Sequence, residues 1–356
     1  MKRVLSCLWL AGLSCLALGC QPDTGAEPPA PSRTQRAEAL ATSPGAWSPT
    51  APKLFASTAP VLLRATGEVL DASNAGTQRY DPYANTWSAP SFSCPQGYCD
   101  TLSTVALPSG DVLAMILHPG RMGGQPVVKR YTPATDTWSY PAVPYHRGSA
   151  TLLDSGRVLY AGGIVYEPAT GFRATALAYE YDPETDTAVP VGNMTSIHAE
   201  HTATRLYSGQ VLVVGGTFPD TAELYDPATR TWTAVPPVPH PRWRHLAVRL
   251  YSGSVMVLGG AVPGDTLVDV YDPYNARWRA GPSLPIPDPT SATLLYSGEV
   301  LAVNDAGQAA LYSPTHNTWR LAASATPTRT GGAVLLHSGQ VLRTSRDSGF
   351  AELFTP

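Results

Sequence analysis

The sequence predicts an all-β protein assembled from repeated four-stranded units, and three observations predict it. Pro and Gly number 35 and 31 among 356 residues, a profile of many tight turns rather than long helices. A Gly-x-Val-Leu/Met step recurs at Gly67, Gly110, Gly156, Gly209, Gly253, Gly298 and Gly339, at intervals of 43, 46, 53, 44, 45 and 41 residues. An aromatic residue two before a Pro follows each step, at Tyr80, Tyr131, Tyr181, Tyr225, Tyr271, Tyr312 and Phe354. A period of 40–50 residues carrying short apolar runs is the mark of a repeat architecture.

Composition bounds the remaining possibilities. Charged residues are 14% of the chain and the net charge is −3, which becomes −5 once Lys2 and Arg3 are removed. Neither value suits a polyanion binder, so no nucleic-acid partner is expected. The apolar content excludes a disordered chain, and the even spread of turn residues excludes a polytopic membrane protein.

The first element is a leader. Lys2 and Arg3 precede the apolar run Val4 to Leu18, which is too short for a mature membrane-spanning helix and reads as a secretory signal over residues 1–19. The run ends in Ala17-Leu18-Gly19-Cys20, which resembles a bacterial lipobox with Ala in place of the commoner Leu. That resemblance implies cleavage before Cys20, lipid attachment there, and a place in the bacterial cell envelope. Gln21 rather than Asp follows the Cys, which implies the outer membrane, facing the periplasm or the cell surface. Ordinary signal cleavage near the same place is the alternative.

Residues 20–44 contain Pro22, Pro28, Pro29, Pro31 and Pro44 among small polar residues and are expected to be a tether. Export would leave Cys94 and Cys99 as the remaining unmodified thiols. In an oxidising compartment a disulfide across Cys94-Pro95-Gln96-Gly97-Tyr98-Cys99 is expected. A metal is the weaker reading, because a lone Cys pair lacks two further ligands.

Residues 45–356 hold the repeat. In its clearest copy, His201 to Leu206 is an extended run, Ser208-Gly209 a turn and Gln210 to Val214 a β-branched strand ending at Gly215-Gly216. Ala222 to Tyr225 is the third strand, Asp226-Pro227 the next turn, and Thr231 to Val235, with Trp232, the fourth. Four antiparallel strands per unit, seven times over, predict a seven-bladed β-propeller. Trp lies seven residues beyond the Tyr at Trp87, Trp138, Trp232, Trp278 and Trp319, with Ala188 in the third unit. These aromatics are expected to fill the space between blades. Ala150, Ala203, Ala247, Ala292 and Ala333 stand six before their turn Gly, where inner strands crowd toward the axis.

The seventh unit stops at Phe354-Thr355-Pro356 and lacks its Trp strand, whereas Gly45-Ala46-Trp47-Ser48 matches the register of Arg230-Thr231-Trp232-Thr233. The N-terminal strand is therefore expected to complete the last blade and remove an open edge.

Through Gly162-Gly163, Gly215-Gly216, Gly259-Gly260 and the Tyr-x6-Trp spacing, residues 47–356 resemble the kelch family of β-propellers. Within that family galactose oxidase is a copper enzyme, and the resemblance would require two His, an axial Tyr and a Tyr crosslinked to Cys. No Tyr-His pair begins a strand here, so no cofactor and no metal are expected. Kelch-type sialic acid mutarotases supply a second enzymatic comparison, with Glu200 beside Arg147 or Arg244 as acid/base candidates.

Function is expected on the face bearing the variable loops, such as 164–175 and 236–244, rather than on the face of short stereotyped turns. Three groups precede first strands in consecutive units: Tyr145, His146 and Arg147; His198, Glu200 and His201; Trp243, Arg244 and His245. Equivalent positions should gather them at the channel mouth. Two roles stand side by side, as caps bonded to neighbouring loops or as contacts for a ligand. The reading for the whole chain is a monomeric, lipid-anchored propeller that binds a protein or a glycan, with a sugar-active enzyme as the alternative.

Overall fold

The computed structural model describes residues 43–356 except 57–58, 73–75, 92–99, 118–125, 144–146, 168, 218–219 and 261. Cys20, Cys94, Cys99, Tyr145 and His146 lie outside the described residues, as do residues 1–42 of the leader and tether.

Seven antiparallel four-stranded sheets follow one another along the chain. In the fourth, the strands are Thr202–Arg205, Val211–Val214, Ala222–Asp226 and Thr231–Ala234, paired in sequence order. The first strand of each sheet neighbours the first strands of the sheets on either side, and the ring closes where the first sheet meets the seventh. This is the expected seven-bladed propeller. The seventh blade takes its outer strand from the N-terminus: Ala46–Pro49 pairs with Ala351–Thr355, and Trp47 sits opposite Phe354 with ring centroids 5.0 Å apart.

The apolar cores lie between blades. Leu153, Leu159 and Ala161 of the third blade pack with Val211, Val213 and Tyr225 of the fourth. Leu212 and Val214 pack in turn with Val255, Val257 and Tyr271 of the fifth. In the five blades that carry both, the Tyr lies opposite its Trp across the third and fourth strands, with centroids 4.9–5.2 Å apart. The aromatic period is core packing, as expected, and it also links blades. The indole Nε1 of Trp278 donates to Pro236 O at 2.8 Å and that of Trp319 to Pro282 O at 3.0 Å. Trp47 donates to Ala323 O at 2.8 Å. Each acceptor lies four residues past the Trp of the preceding blade, so the ladder ties neighbours together by direct hydrogen bonds.

A second ladder runs under the Tyr-x-Pro turns. Tyr80, Tyr131, Tyr181 and Tyr312 donate their hydroxyls to Asn85, Asp136, Asp186 and Asn317 at 2.9, 2.6, 2.9 and 2.9 Å. Those four acceptors adopt left-handed backbone, with φ of 52, 53, 51 and 54°, a conformation that Asn and Asp tolerate best among side-chain-bearing residues. One residue type thus serves both the turn and the buried hydroxyl.

The third blade departs from the repeat. Residues 164–175, expected as a loop, carry an extra hairpin formed by Ile164–Glu167 and Gly171–Ala174. Its signal stands in the sequence as a β-branched and aromatic run broken by Pro168-Ala169-Thr170-Gly171 and resumed at Phe172.

Candidate functional site

The segments leading into the first strands of the fourth and fifth blades, His198-Ala199-Glu200-His201 and Arg242-Trp243-Arg244-His245, occupy the same register before Gly209 and Gly253. The glycine pairs explain how they fit. Gly163 and Gly216 have φ of 90 and 99°, and a Cβ on them would stand 1.9 Å from Arg147 O and 2.3 Å from Ala199 O. Their amides donate to His198 O at 2.6 Å and to Arg242 O at 2.8 Å. These second glycines therefore press a bare Cα against their own blade's lead-in, a role only a residue without Cβ can fill, while their amides hold the lead-in of the next blade.

Residues at the two ends of each lead-in turn inward. His198 is fully buried, with Nδ1 2.6 Å from Gly215 O and Nε2 2.8 Å from Glu223 Oε1. Glu223 also accepts from Thr195 N, Thr195 Oγ1 and Ser196 N at 2.7, 3.0 and 3.2 Å. Burial works against its charge, but His198 and these donors outweigh it and hold the carboxyl below the usual carboxylate range. In the fifth blade Arg242 takes the place of His198. It donates from Nη2 and Nε to Asp269 Oδ2 at 2.6 and 3.1 Å and from Nη1 to Gly259 O at 2.7 Å.

The histidines that end the lead-ins bridge blades. His201 Nε2 lies 2.9 Å from Ser149 Oγ, and His245 Nε2 lies 2.8 Å from Thr202 Oγ1. Burial, reinforced by the Arg242 charge, pushes the His245 pKa down to about 3. This ring stays neutral throughout the physiological range.

The middle residues turn outward. Glu200 and Arg244 adopt left-handed backbone with φ of 60 and 52°. Arg244 Nε donates to Glu200 Oε2 at 2.8 Å and Nη2 to Oε1 at 3.4 Å, while the Arg244 side chain remains 74% exposed. Trp243 is 62% exposed, its amide fixed by a 3.0 Å bond to Gly260 O. Arg147, in the same register of the third blade, exchanges both backbone bonds with Ile164 and makes no side-chain ion pair among the described residues. Sequence reasoning missed Arg242, Glu223 and Asp269. Arg242 shares the register of His198, and the two carboxylates both stand two before the landmark Tyr, so the repeat itself carried the signal.

Beside the outward residues lies a cavity of about 620 Å³, bounded by Ile164, Phe172 and Ala174 of the extra hairpin and by Glu200, Pro241 and Trp243. It is mainly apolar. A larger hollow of about 990 Å³ opens on the short-turn face, lined by Arg130, Asp154, Arg157, Glu180, Asp182 and Arg230 among others. There size is a poor guide. Arg157 and Arg230 both pair with Glu180 at 3.4 and 3.1 Å, and Arg130 pairs with Asp111 at 2.5 Å, so the charges satisfy one another. The smaller cavity contains two of the expected site residues and the one non-repeated element on this rim, and it is the better candidate.

No protein-family profile matches the chain, and no curated protein matches it. Among solved structures it is similar to a novel fungal alcohol oxidase with catalytic diversity among the AA5 family, in complex with copper. The identity is 14% over 88% of this chain and 76% of that one, with a TM-score of 0.68. Such a likeness shows the propeller fold alone. The described residues do not supply a copper centre of that kind, and Tyr145, His146, Cys94 and Cys99 lie outside them. Among the described residues no three His, Cys, Asp or Glu side chains converge as a metal needs. The rim imidazoles of His198 and His245 are buried and directed at Glu223, Gly215 O and Thr202.

Proposed function

We propose that the protein is a lipid-anchored module of the bacterial cell envelope that holds a protein partner at the loop-face rim of its third to fifth blades. The observation that supports this reading is the composition of the rim cavity. Phe172 and Trp243, both about half exposed or more, face a space lined by Ile164, Ala174 and Pro241. The polar side chains around it are already engaged. Glu200 holds Arg244, Arg173 holds Glu167, and Thr217 Oγ1 accepts from Ala199 N at 3.1 Å. A glycan presents many hydroxyls that would find few free partners here, at a cost of roughly 1–3 kcal/mol for each group left unsatisfied. An apolar side chain from a protein makes no such demand.

Ala46 pairs with Thr355, whose hydroxyl accepts from Gln340 in a short turn at 2.9 Å, so the outer strand of the seventh blade begins on the short-turn face. Replacing Cys20 with Ala should abolish palmitate incorporation and release the protein from membranes; unchanged membrane fractionation would reject the anchor. A photocrosslinking residue at position 243 should capture a discrete protein that the same residue at Pro227, on the short-turn face, does not. Equal yield at both positions would reject the rim. Binding on a glycan array that Trp243→Ala abolishes would replace the protein partner with a glycan.

A further inference from the structure

We infer that the partner enters as an extended peptide segment that adds a third strand to the outer edge of the extra hairpin. The proposal rests on the reading of the rim cavity as a protein-binding site and specifies how that site is occupied.

Hydrogen-bond parity in the hairpin carries it. Ile164 gives its amide and carbonyl to Arg147, with N···O distances of 3.2 and 2.9 Å, and Thr175 N donates to Gly163 O at 3.0 Å. Ile164 faces Ala174, Val165 faces Arg173 and Tyr166 faces Phe172. In an antiparallel ladder bonded and non-bonded pairs alternate. The Val165–Arg173 pair is therefore bonded, and the Ile164–Ala174 and Tyr166–Phe172 pairs are not. The peptide groups of Phe172 and Ala174 consequently point out of the hairpin, two residues apart, and no partner for them exists among the described residues. This is a strand edge offering two donors and two acceptors at the spacing an extended chain matches.

Side chains of the non-bonded pairs share one face of the hairpin. Phe172 and Tyr166 meet there edge to face at 5.2 Å, while Arg173 pairs with Glu167 on the other face. Three consecutive residues of the outer strand, 172–174, border the cavity, with Trp243 among its other walls. A segment paired with Phe172 and Ala174 would therefore carry alternate side chains toward the cavity, and an aliphatic or aromatic residue there would lie against Phe172 and Trp243. A helix, whose backbone groups are bonded internally, cannot pair with the edge. The hairpin occurs in one blade alone among the described residues, so the repeat does not require it.

The test uses 12-residue peptides selected from a random display library on the full-length protein, then synthesised and titrated. Selected peptides should alternate apolar residues, and N-methylation of alternate backbone amides should weaken binding roughly tenfold or more. Ala174→Pro should do the same, since it removes an outward amide while leaving the hairpin's own ladder intact; an unchanged melting temperature verifies the fold, and the N-methyl peptides test pairing without altering the protein. Trp243→Ala should also weaken the same peptides. If Trp243→Ala abolishes binding while Ala174→Pro and N-methylation leave it unchanged, strand addition is wrong and the rim cavity stands. If no selected peptide depends on Trp243, the cavity reading fails, and this inference with it. Dimers of the wild type that Ala174→Pro disperses would make the occupant a second copy and overturn the proposal.

Discussion

Arg242 and Arg244 are two residues apart on one lead-in loop, and they differ in almost every physical respect. Arg242 is fully buried, bonded to Asp269 and Gly259 O, and reached by no solvent. Arg244 is largely exposed and held by a single carboxylate. The fourth blade repeats the division with His198 inward and Glu200 outward. A short lead-in bent through a left-handed residue can thus fasten a blade from one side and present chemistry from the other, and the two jobs respond differently to substitution.

The largest expected effect is at the inward arginine. Arg242→Met keeps the stem but leaves Asp269, itself fully buried, without its guanidinium. Breaking a buried pair from one side costs about 3–5 kcal/mol, because the orphaned carboxylate must be desolvated alone. His240, 3.0 Å from Asp269 on the half-exposed side, offsets only part of this. Urea denaturation should show that loss for Arg242→Met and under about 1 kcal/mol for its exposed neighbour in Trp243→Ala. Similar losses for the two would erase the distinction between faces.

A pH profile sharpens the same division. The unfolded chain protonates His245 near its ordinary value of 6.5, whereas the folded ring resists protonation down to about 3. Between those limits the unfolded state binds the extra proton, so stability falls as pH falls through this window and is unaffected above it. From pH 7 to pH 4.5 the contribution is roughly 2–3 kcal/mol. His245→Gln removes this group's titration, and the acid limb of its stability curve should be shallower than that of the wild type. Parallel curves would mean that the ring admits a proton in the native state.

How far the sequence reached follows the same inward and outward logic. The blades, the closure through Trp47 and the rim register were all legible, because a seven-fold repeat averages away local ambiguity and the glycine turns fix its phase. The roles of His198 and Glu200 were not separable, since neighbouring polar residues look alike until backbone conformation assigns their directions. Glu223 and Asp269 were hidden for a related reason. They occupy strand positions where a carboxylate is surprising only once the fold buries it. The hairpin at 164–174 was read as a loop because the repeat supplies no counterpart against which to align it.

A smaller effect tests the turn ladder, where the fifth blade departs from its siblings. Ala276 stands where Asn85, Asp136, Asp186 and Asn317 stand elsewhere, with φ of 46°, and the Tyr271 hydroxyl above it has no partner among the described residues. Ala276→Asn should supply both a residue suited to left-handed backbone and the missing acceptor. A gain of about 1 kcal/mol is expected, on the scale of one net hydrogen bond, and thermal unfolding would detect it. No gain would show that the Tyr hydroxyl is satisfied by water.

The smallest effect belongs to the outward pair. Arg244 is bonded to Glu200 by its guanidinium, and this hydrogen bond, more than the charge attraction, raises the pKa of Arg244. Yet its exposure leaves the pair to solvent and salt, and such pairs contribute about 0–1 kcal/mol. Glu200→Gln keeps the side-chain length and the left-handed backbone cost while removing the charge. Its stability should differ from the wild type by no more than that, and the difference should vanish in about 1 M salt, where the screening length shrinks to about 3 Å. A loss comparable with that of Arg242→Met, persisting in high salt, would show that Glu200 fastens the rim as His198 does. The outward face would then be part of the scaffold rather than a surface available to a partner.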